Sequence, residues 1–388
     1  MRIAIISTLN GFSWGGSEEL WASMGEEAFK KGMRVAISIS YEAAIPPKYS
    51  SLNNGVRVFR RRPLLRIGRL ERLLCNVASP FREIFNWKPD VICISQGTTY
   101  DCLLFADLLR LLYTAGMPYI VVCQYNDEKI LRRDIRDSAK EFFERAFRVV
   151  FVSRDNMQSV ERQLALKLAN AVVLQNPVNL GDLSPLPWAT LRQVSMASVA
   201  RLEAAYKGQD ILLEVLGASE WRDREWRLEL YGEGRDRKYL ESLAKYYGIA
   251  ERVQFCGQTD DIRSVWQANH LLVLPSRAEG TPLALVEAML CGRPAVVTDV
   301  GGNTEWVEDR ETGFVAEAST KRSFGAALER AWLARARWQA MGKQARDNAL
   351  IKFDQSAGKS LLRVVVEPVA LRMEMSHEPQ SSDLVVSR

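Results

Sequence analysis

The sequence predicts an α/β protein with two doubly wound parallel sheets, and three observations carry that expectation. Short apolar runs bounded by turn residues alternate with stretches of helical periodicity along the chain. A turn-rich stretch, Asn176-Pro177-Val178 and then Gly181 to Pro187, divides that alternation into two halves. With 388 residues and 47% hydrophobic content, the chain is long enough for two or three domains with sizeable cores.

In the first half, strand-like runs fall near residues 2–7, 34–39, 90–95, 119–123, 149–153 and 171–174. Helical patterns lie between them, notably at 18–31, 101–115 and 138–147. We therefore expect an amino-terminal domain over 1–177, a linker over 178–190 and a carboxy-terminal domain over 191–352. The second sheet should run from Val194 to about Val315, with helices onward to about Met373. Residues 376–388 are polar and read as a disordered tail. No internal sequence repeat is visible; the halves share architecture only.

Residues 276–292 are the most informative stretch. The apolar run Leu271–Pro275 reads as a buried strand, and the next strand begins at Ala295. Between them Thr281 suits an N-cap, Pro282 the first helical position and Gly292 the position past the last turn. Two carboxylates, Glu279 and Glu287, then flank the start of one short helix. The amides at such an end favour a phosphate. Glu287 lies five residues beyond Pro282, or ~7.5 Å along the axis, about the reach from a phosphate to a pair of vicinal hydroxyls. Ala284, Ala288 and Cys291 flank it and are small enough for a ligand to approach. An exposed helix residue and a loop charge would look the same.

A second cluster follows the strand-like run Val194–Ala200. Arg201 and Lys207-Gly208 precede the helical pattern Ile211–Leu216, so both cations leave the carboxyl end of a strand, where open α/β sheets bind ligands. An arginine grips phosphate with parallel hydrogen bonds and a lysine adds a point charge. Gly15 and Gly16 suit a loop close to a phosphate, with Ser17 capping the next helix, although a plain tight turn would use the same glycines. Gly232 and Gly234 would let the backbone approach a base or ribose, but they lack the third glycine of a dinucleotide fingerprint.

The E-x7-E spacing of Glu279 and Glu287, the Arg201…Lys207-Gly208 element, Tyr231-Gly232-Glu233-Gly234 and Val300-Gly301-Gly302-Asn303-Thr304-Glu305 together resemble family 4 retaining glycosyltransferases of the GT-B fold. The resemblance covers roughly residues 195–320, with a weaker match at Gly15-Gly16-Ser17-Glu18. It implies two Rossmann-like domains facing across a cleft, with a final helix, about 353–372, returning to the first domain. It implies a nucleotide-sugar donor, a UDP-sugar on family frequency. The acceptor would be a glycan, a lipid-linked molecule or a small molecule, in cell-surface polysaccharide or glycoconjugate synthesis. Arg201, Lys207 and Glu279 would be catalytic, and Gly15, Gly16, Gly232, Gly280, Thr281, Leu283 and Glu287 would hold the donor. Gln96, Gln124, Asn126 and Asp127 would line the acceptor and sugar side. The sequence departs from the family where members often carry a histidine close to the donor sugar, since residues 123–128 contain none.

No metal or other cofactor is expected. The chain has no D-x-D triplet, and two histidines, His270 and His377, cannot build a histidine metal site. Six scattered cysteines without a C-x-x-C pair read as reduced thiols of a cytoplasmic protein. No run reaches the ~18 apolar residues of a membrane span, and the apolar start is too short for a signal peptide. Residues 57–72 hold Arg57, Arg60, Arg61, Arg62, Arg66, Arg69 and Arg72 against Glu71. Past Pro63 they alternate with Leu64, Ile67, Leu70 and Leu74 at helical spacing, as in a helix lying on an anionic membrane; an ordinary solvated face would read alike. A net charge of +5 with no nucleic-acid motif argues against a nucleic-acid partner. Two alternatives to transfer stay open: a nucleotide-sugar 2-epimerase and a catalytically silent sugar-nucleotide-binding protein.

Overall fold

The computed structural model describes residues 1–9, 16–41, 43–45, 49, 55–61, 79–125, 130–190 and 193–377. The first sheet comprises β1 (Arg2–Ser7), β2 (Arg34–Ser40), β3 (Val56–Arg61), β4 (Val91–Gln96), β5 (Tyr119–Cys123), β6 (Arg148–Phe151) and β7 (Ala171–Val173). Its seven strands lie in the order β3-β2-β1-β4-β5-β6-β7, every pair parallel. The second comprises β8 (Val194–Val199), β9 (Trp226–Tyr231), β10 (Val253–Gly257), β11 (Leu271–Leu274), β12 (Ala295–Thr298) and β13 (Gly313–Ala316). Its six strands follow the order β10-β9-β8-β11-β12-β13, again all parallel. These are the two Rossmann-like sheets of the GT-B architecture.

The central strands are apolar on both faces because helices cover both sides. In β1, Ile3 and Ile5 enter one core cluster and Ala4 and Ile6 the other. The same alternation sends Met196 and Ala197 of β8 to opposite faces. Strand order reverses between β1 and β4 and again between β8 and β11. In open parallel sheets the crevice at such a switch is the binding place. Here the loops leaving β8 and β11 carry Arg201 and Glu279.

The last helix, Ala357–His377, returns to the first sheet. Its Leu361, Leu362 and Val365 share a core cluster with Trp21 and Met24 of the first helix, Gly16–Lys30. It extends to His377, into the start of the expected polar tail; 378–388 lie outside the described residues.

Three expectations need correcting. Arg57, Arg60 and Arg61 belong to strand β3, with Arg61 buried and donating to Ser38 Oγ at 2.8 Å, while residues 62–72 lie outside the described residues. The helix expected over 101–115 breaks into a 3-10 turn, Asp101–Leu104, and a helix, Ala106–Ala115, at Phe105, whose φ of −112° and ψ of 75° leave the helical region, while the Gln96 side chain accepts from the Cys102 backbone N–H at 3.0 Å. Thr281 is not an N-cap. Extended Pro282 caps the helix Leu283–Leu290, and the Thr281 hydroxyl instead donates to Val152 O at 2.9 Å, across the cleft.

Candidate functional site

Ser276 and Glu279 follow β11 into the cleft. Glu279 is 4% exposed, and its Oε1 accepts from Lys207 Nζ at 2.6 Å and from the Ser276 hydroxyl at 2.7 Å. Ser276 is itself fully buried, and its carbonyl accepts from Thr298 Oγ1 at 2.5 Å. Both side-chain contacts use Oε1, so Oε2 is left for a ligand. A carboxylate buried this deeply needs a charged partner, and Lys207 supplies it.

Lys207 reaches Glu279 because of Gly208. The turn Ala204–Lys207 ends at this glycine, whose φ is +66°, and a Cβ there would stand 2.0 Å from Pro275 O. Only glycine allows both the left-handed backbone and the approach to the exit of β11. Arg201 is half-exposed and lies 3.4 Å from Glu203 Oε2, while its carbonyl accepts from Gln209 Nε2 at 2.7 Å. Gly232 and Gly234 make a contact that the sequence did not show. Cβ atoms there would lie 2.1 Å from Ala200 O and 2.3 Å from Leu202 O, so these glycines pack the loop after β9 onto the loop after β8 and so support Arg201.

The helix Leu283–Leu290 is buried from Ala284 through Leu290. It closes with Gly292 at φ +73°, where the Gly292 N–H donates to Met289 O at 2.8 Å and the Arg293 N–H to Ala288 O at 2.9 Å. Ala288 and Cys291 point into the core rather than toward a ligand, a correction to the sequence expectation. Glu287 is 4% exposed, and burial pushes its carboxyl up to about 7. The Asn179 backbone N–H opposes that rise and the Glu19 carboxylate adds to it. Gly16, first residue of the first helix, lies against Leu283, first residue of this one; a Cβ at Gly16 would be 3.1 Å from Leu283 Cδ1. Two helix N-termini from opposite sheets thus converge, concentrating the positive ends of two helix dipoles.

The remaining candidates lie on or beyond the seam. Gly280 packs on the first sheet, since a Cβ there would be 2.1 Å from Gln124 O. Gln124 is 4% exposed, and neither end of its amide has a hydrogen-bond partner among the described residues. Its neighbour Tyr125 meets the Tyr206 ring edge-on at 5.8 Å. Gln96 is fully buried and spends its amide on its own turn, donating to Thr99 O at 2.6 Å, so it shapes the loop and does not face the cleft. Gly15, Asn126 and Asp127 lie outside the described residues. Ser276, Glu203, Gly301, Gly302 and Glu305 were not singled out as site residues from sequence. Gly301, Gly302 and Glu305 had a signal in the Val300–Glu305 run that carried the resemblance: a Cβ at Gly301 would lie 2.2 Å from Glu279 O, so the glycine pair buttresses the loop bearing Glu279. Among the described residues no helix is long and apolar enough to cross a membrane, and no acidic, histidine or cysteine cluster could hold a metal.

A GT-B fold with cations and carboxylates at the switch point of its second sheet defines a class of protein, and comparison with known proteins bears on that class directly. Residues 193–333 match the family model described as "Glycosyl transferases group 1". An uncharacterized glycosyltransferase of Haemophilus influenzae is 33% identical over 156 residues, 40% of this chain and 43% of the relative. Alpha-D-kanosaminyltransferase of Streptomyces kanamyceticus is 28% identical over 201 residues, 51% of this chain and 48% of the relative. The matches thus span about half the length of the curated relatives. Anabaena Alr3699/HepE, solved in complex with UDP-glucose, superposes with a TM-score of 0.72 at 19% identity, over 96% of this chain and 100% of that one; at this identity the likeness establishes the fold.

Proposed function

We propose that this protein is a glycosyltransferase that moves a sugar from a nucleotide diphosphate donor, a UDP-sugar, to an acceptor hydroxyl with retention at the anomeric carbon. One observation carries the reading: Arg201 and the Lys207–Glu279 pair stand at the β8/β11 switch, beside two converging helix N-termini. A sugar nucleotide needs all of these at once. The diphosphate takes the helix amides, and Arg201 and Lys207 neutralise the charge that grows on the leaving oxygen. These two cations perform the neutralisation for which a divalent metal is used elsewhere. Glu279 Oε2 accepts from a donor-sugar hydroxyl, and Glu287 takes the ribose diol. The bond from the anomeric carbon to the phosphate oxygen breaks, and the acceptor oxygen bonds to the same face. The departing phosphate receives the acceptor proton, so no protein base is required.

Gln124 supplies a hydrogen-bond donor and acceptor on the sugar side, in the region where the resemblance leads one to expect histidine. The acceptor, a glycan, lipid-linked or small molecule, approaches from the first sheet. The names of the matched relatives and the sugar-nucleotide complex of the structural neighbour support this reading. We place the protein in the cytoplasm.

The test is product analysis with radiolabelled UDP-, GDP-, ADP- and dTDP-sugars. Label in an acceptor supports transfer, an epimerised donor indicates a 2-epimerase, and donor bound but unchanged indicates a silent binder. The last two outcomes sink the proposal.

A further inference from the structure

The two sheets meet along a seam that the donor chemistry does not explain. Four contacts cross it within a few residues. Thr281 Oγ1 donates to Val152 O at 2.9 Å, and the Asp155 backbone N–H donates to Glu305 Oε1 at 3.0 Å. Gly280 lies against Gln124 O, and Gly302 against Ser153, whose Cβ a methyl group there would approach to 2.9 Å. The Gly302 N–H also donates to Gly280 O at 2.6 Å. Residues 279–281 are therefore sandwiched between Gly301-Gly302 and the carboxyl ends of β5 and β6.

Glu305 stands on the short helix Asn303–Trp306, immediately after that glycine pair. Its carboxylate reaches the first turn of the helix Arg154–Leu164 in the opposite sheet's layer. Ser153 Oγ accepts from the Asn156 N–H at 3.1 Å, so one orphan donor of that turn is capped from within and the preceding one, Asp155, from across the cleft. A carboxylate at a helix N-terminus gains from the helix dipole as well as from the hydrogen bond.

We propose that Glu305 and Thr281 are positioning residues whose contacts latch the Glu279 loop to the first sheet, so that closing the cleft and aligning Glu279 are one event. The proposal rests on the transferase reading above. Arg201, Lys207 and Glu287 all belong to the second sheet's side, so most of a nucleotide's contacts persist without the latch. Turnover needs the acceptor, delivered by the first sheet, and therefore needs it.

The experiment compares Glu305→Ala and Glu305→Gln with the parent protein. Glutamine keeps an acceptor oxygen for the Asp155 N–H; alanine does not. UDP affinity by calorimetry should stay within about twofold of the parent in both, because Arg201, Lys207 and Glu287 keep their places on the second sheet. Turnover should fall about tenfold or more in Glu305→Ala, in keeping with a charge-assisted hydrogen bond, and recover most of that in Glu305→Gln. Small-angle scattering with UDP present should show a larger radius of gyration for Glu305→Ala. Gly280→Ala should show the same opening, because its methyl group collides with Gln124 O. Turnover of Glu305→Ala within twofold of the parent, loss of UDP binding in step with turnover, or unchanged scattering in both opened variants would each overturn the latch. If the parent transfers no sugar, the transferase reading fails, while the scattering comparison still decides whether the seam closes through Glu305.

Discussion

Burial pushes the Glu287 carboxyl up to about 7, with the Glu19 carboxylate adding to the rise and the Asn179 N–H resisting it. Between its ordinary value and about 7 the folded protein holds a proton that the unfolded chain has released. This group's contribution to stability is therefore present at low pH and is lost as pH rises toward 7. Without nucleotide, Glu287→Gln should flatten the fall in melting temperature between about pH 5 and about pH 8. A ribose diol needs the ionised form, so UDP affinity should strengthen from about pH 6 to about pH 8 in the parent and stay flat in the variant, as read by titration calorimetry. Arg201→Ala and Lys207→Ala should each lower turnover by on the order of 10²-fold. They should differ in thermal melts: Lys207→Ala strands a buried carboxylate and lowers the melting temperature, whereas half-exposed Arg201 can be lost with little change. The types and spacing of Arg201, Lys207, Glu279 and Glu287 were legible in the sequence. That Lys207 and Glu279, 72 residues apart, form one ion pair was not, because it depends on how Gly208 meets Pro275.

Among the elements, those with strong periodicity were legible and those held by a single long-range contact were not. β1, β4, β5 and β11 are apolar runs that only a covered parallel sheet accommodates. β3 escaped because its Val-Arg-Val-Phe-Arg-Arg sequence lies at the sheet edge and runs into an arginine-rich stretch of helical spacing. Gln96 read as a cleft residue because a polar side chain at a strand's carboxyl end usually is one; its amide closes the following turn instead. Ala284, Ala288 and Cys291 read as small residues that let a ligand approach, yet the helix Leu283–Leu290, apolar at every position but Glu287, is sunk in the core. The glycines of the strand-end loops are the stiffest requirement at this scale. Gly232→Ala would force a side chain to φ +129° and to 2.1 Å from Ala200 O. Thermal melts should show a loss of more than ~1 kcal/mol, a few degrees for a domain of this size.

For the whole molecule, two sheets with separate cores are joined by two chain crossings, one through the 174–190 stretch and one near 352–356. Gln175 ties them together: its Nε2 donates to Lys352 O at 2.8 Å and its Oε1 accepts from the Asp354 N–H at 2.8 Å. The two crossings thus lie side by side, on the side of the molecule from which the Asn179 N–H reaches Glu287. Leu361 is fully buried in the first sheet's core although it follows the second sheet in sequence. Leu361→Ala should cost about 2–5 kcal/mol in urea unfolding, and the loss should appear in the first sheet's transition. The returning helix also sets the order of events on the ribosome. Domains of most proteins complete themselves as they emerge, amino-terminal first. Here the face begun by β1, β2 and β4 waits for Ala357–Val369, which are translated only after every strand of the second sheet. A nascent chain stalled near residue 356 should therefore carry a protease-resistant second sheet behind an unfinished first one.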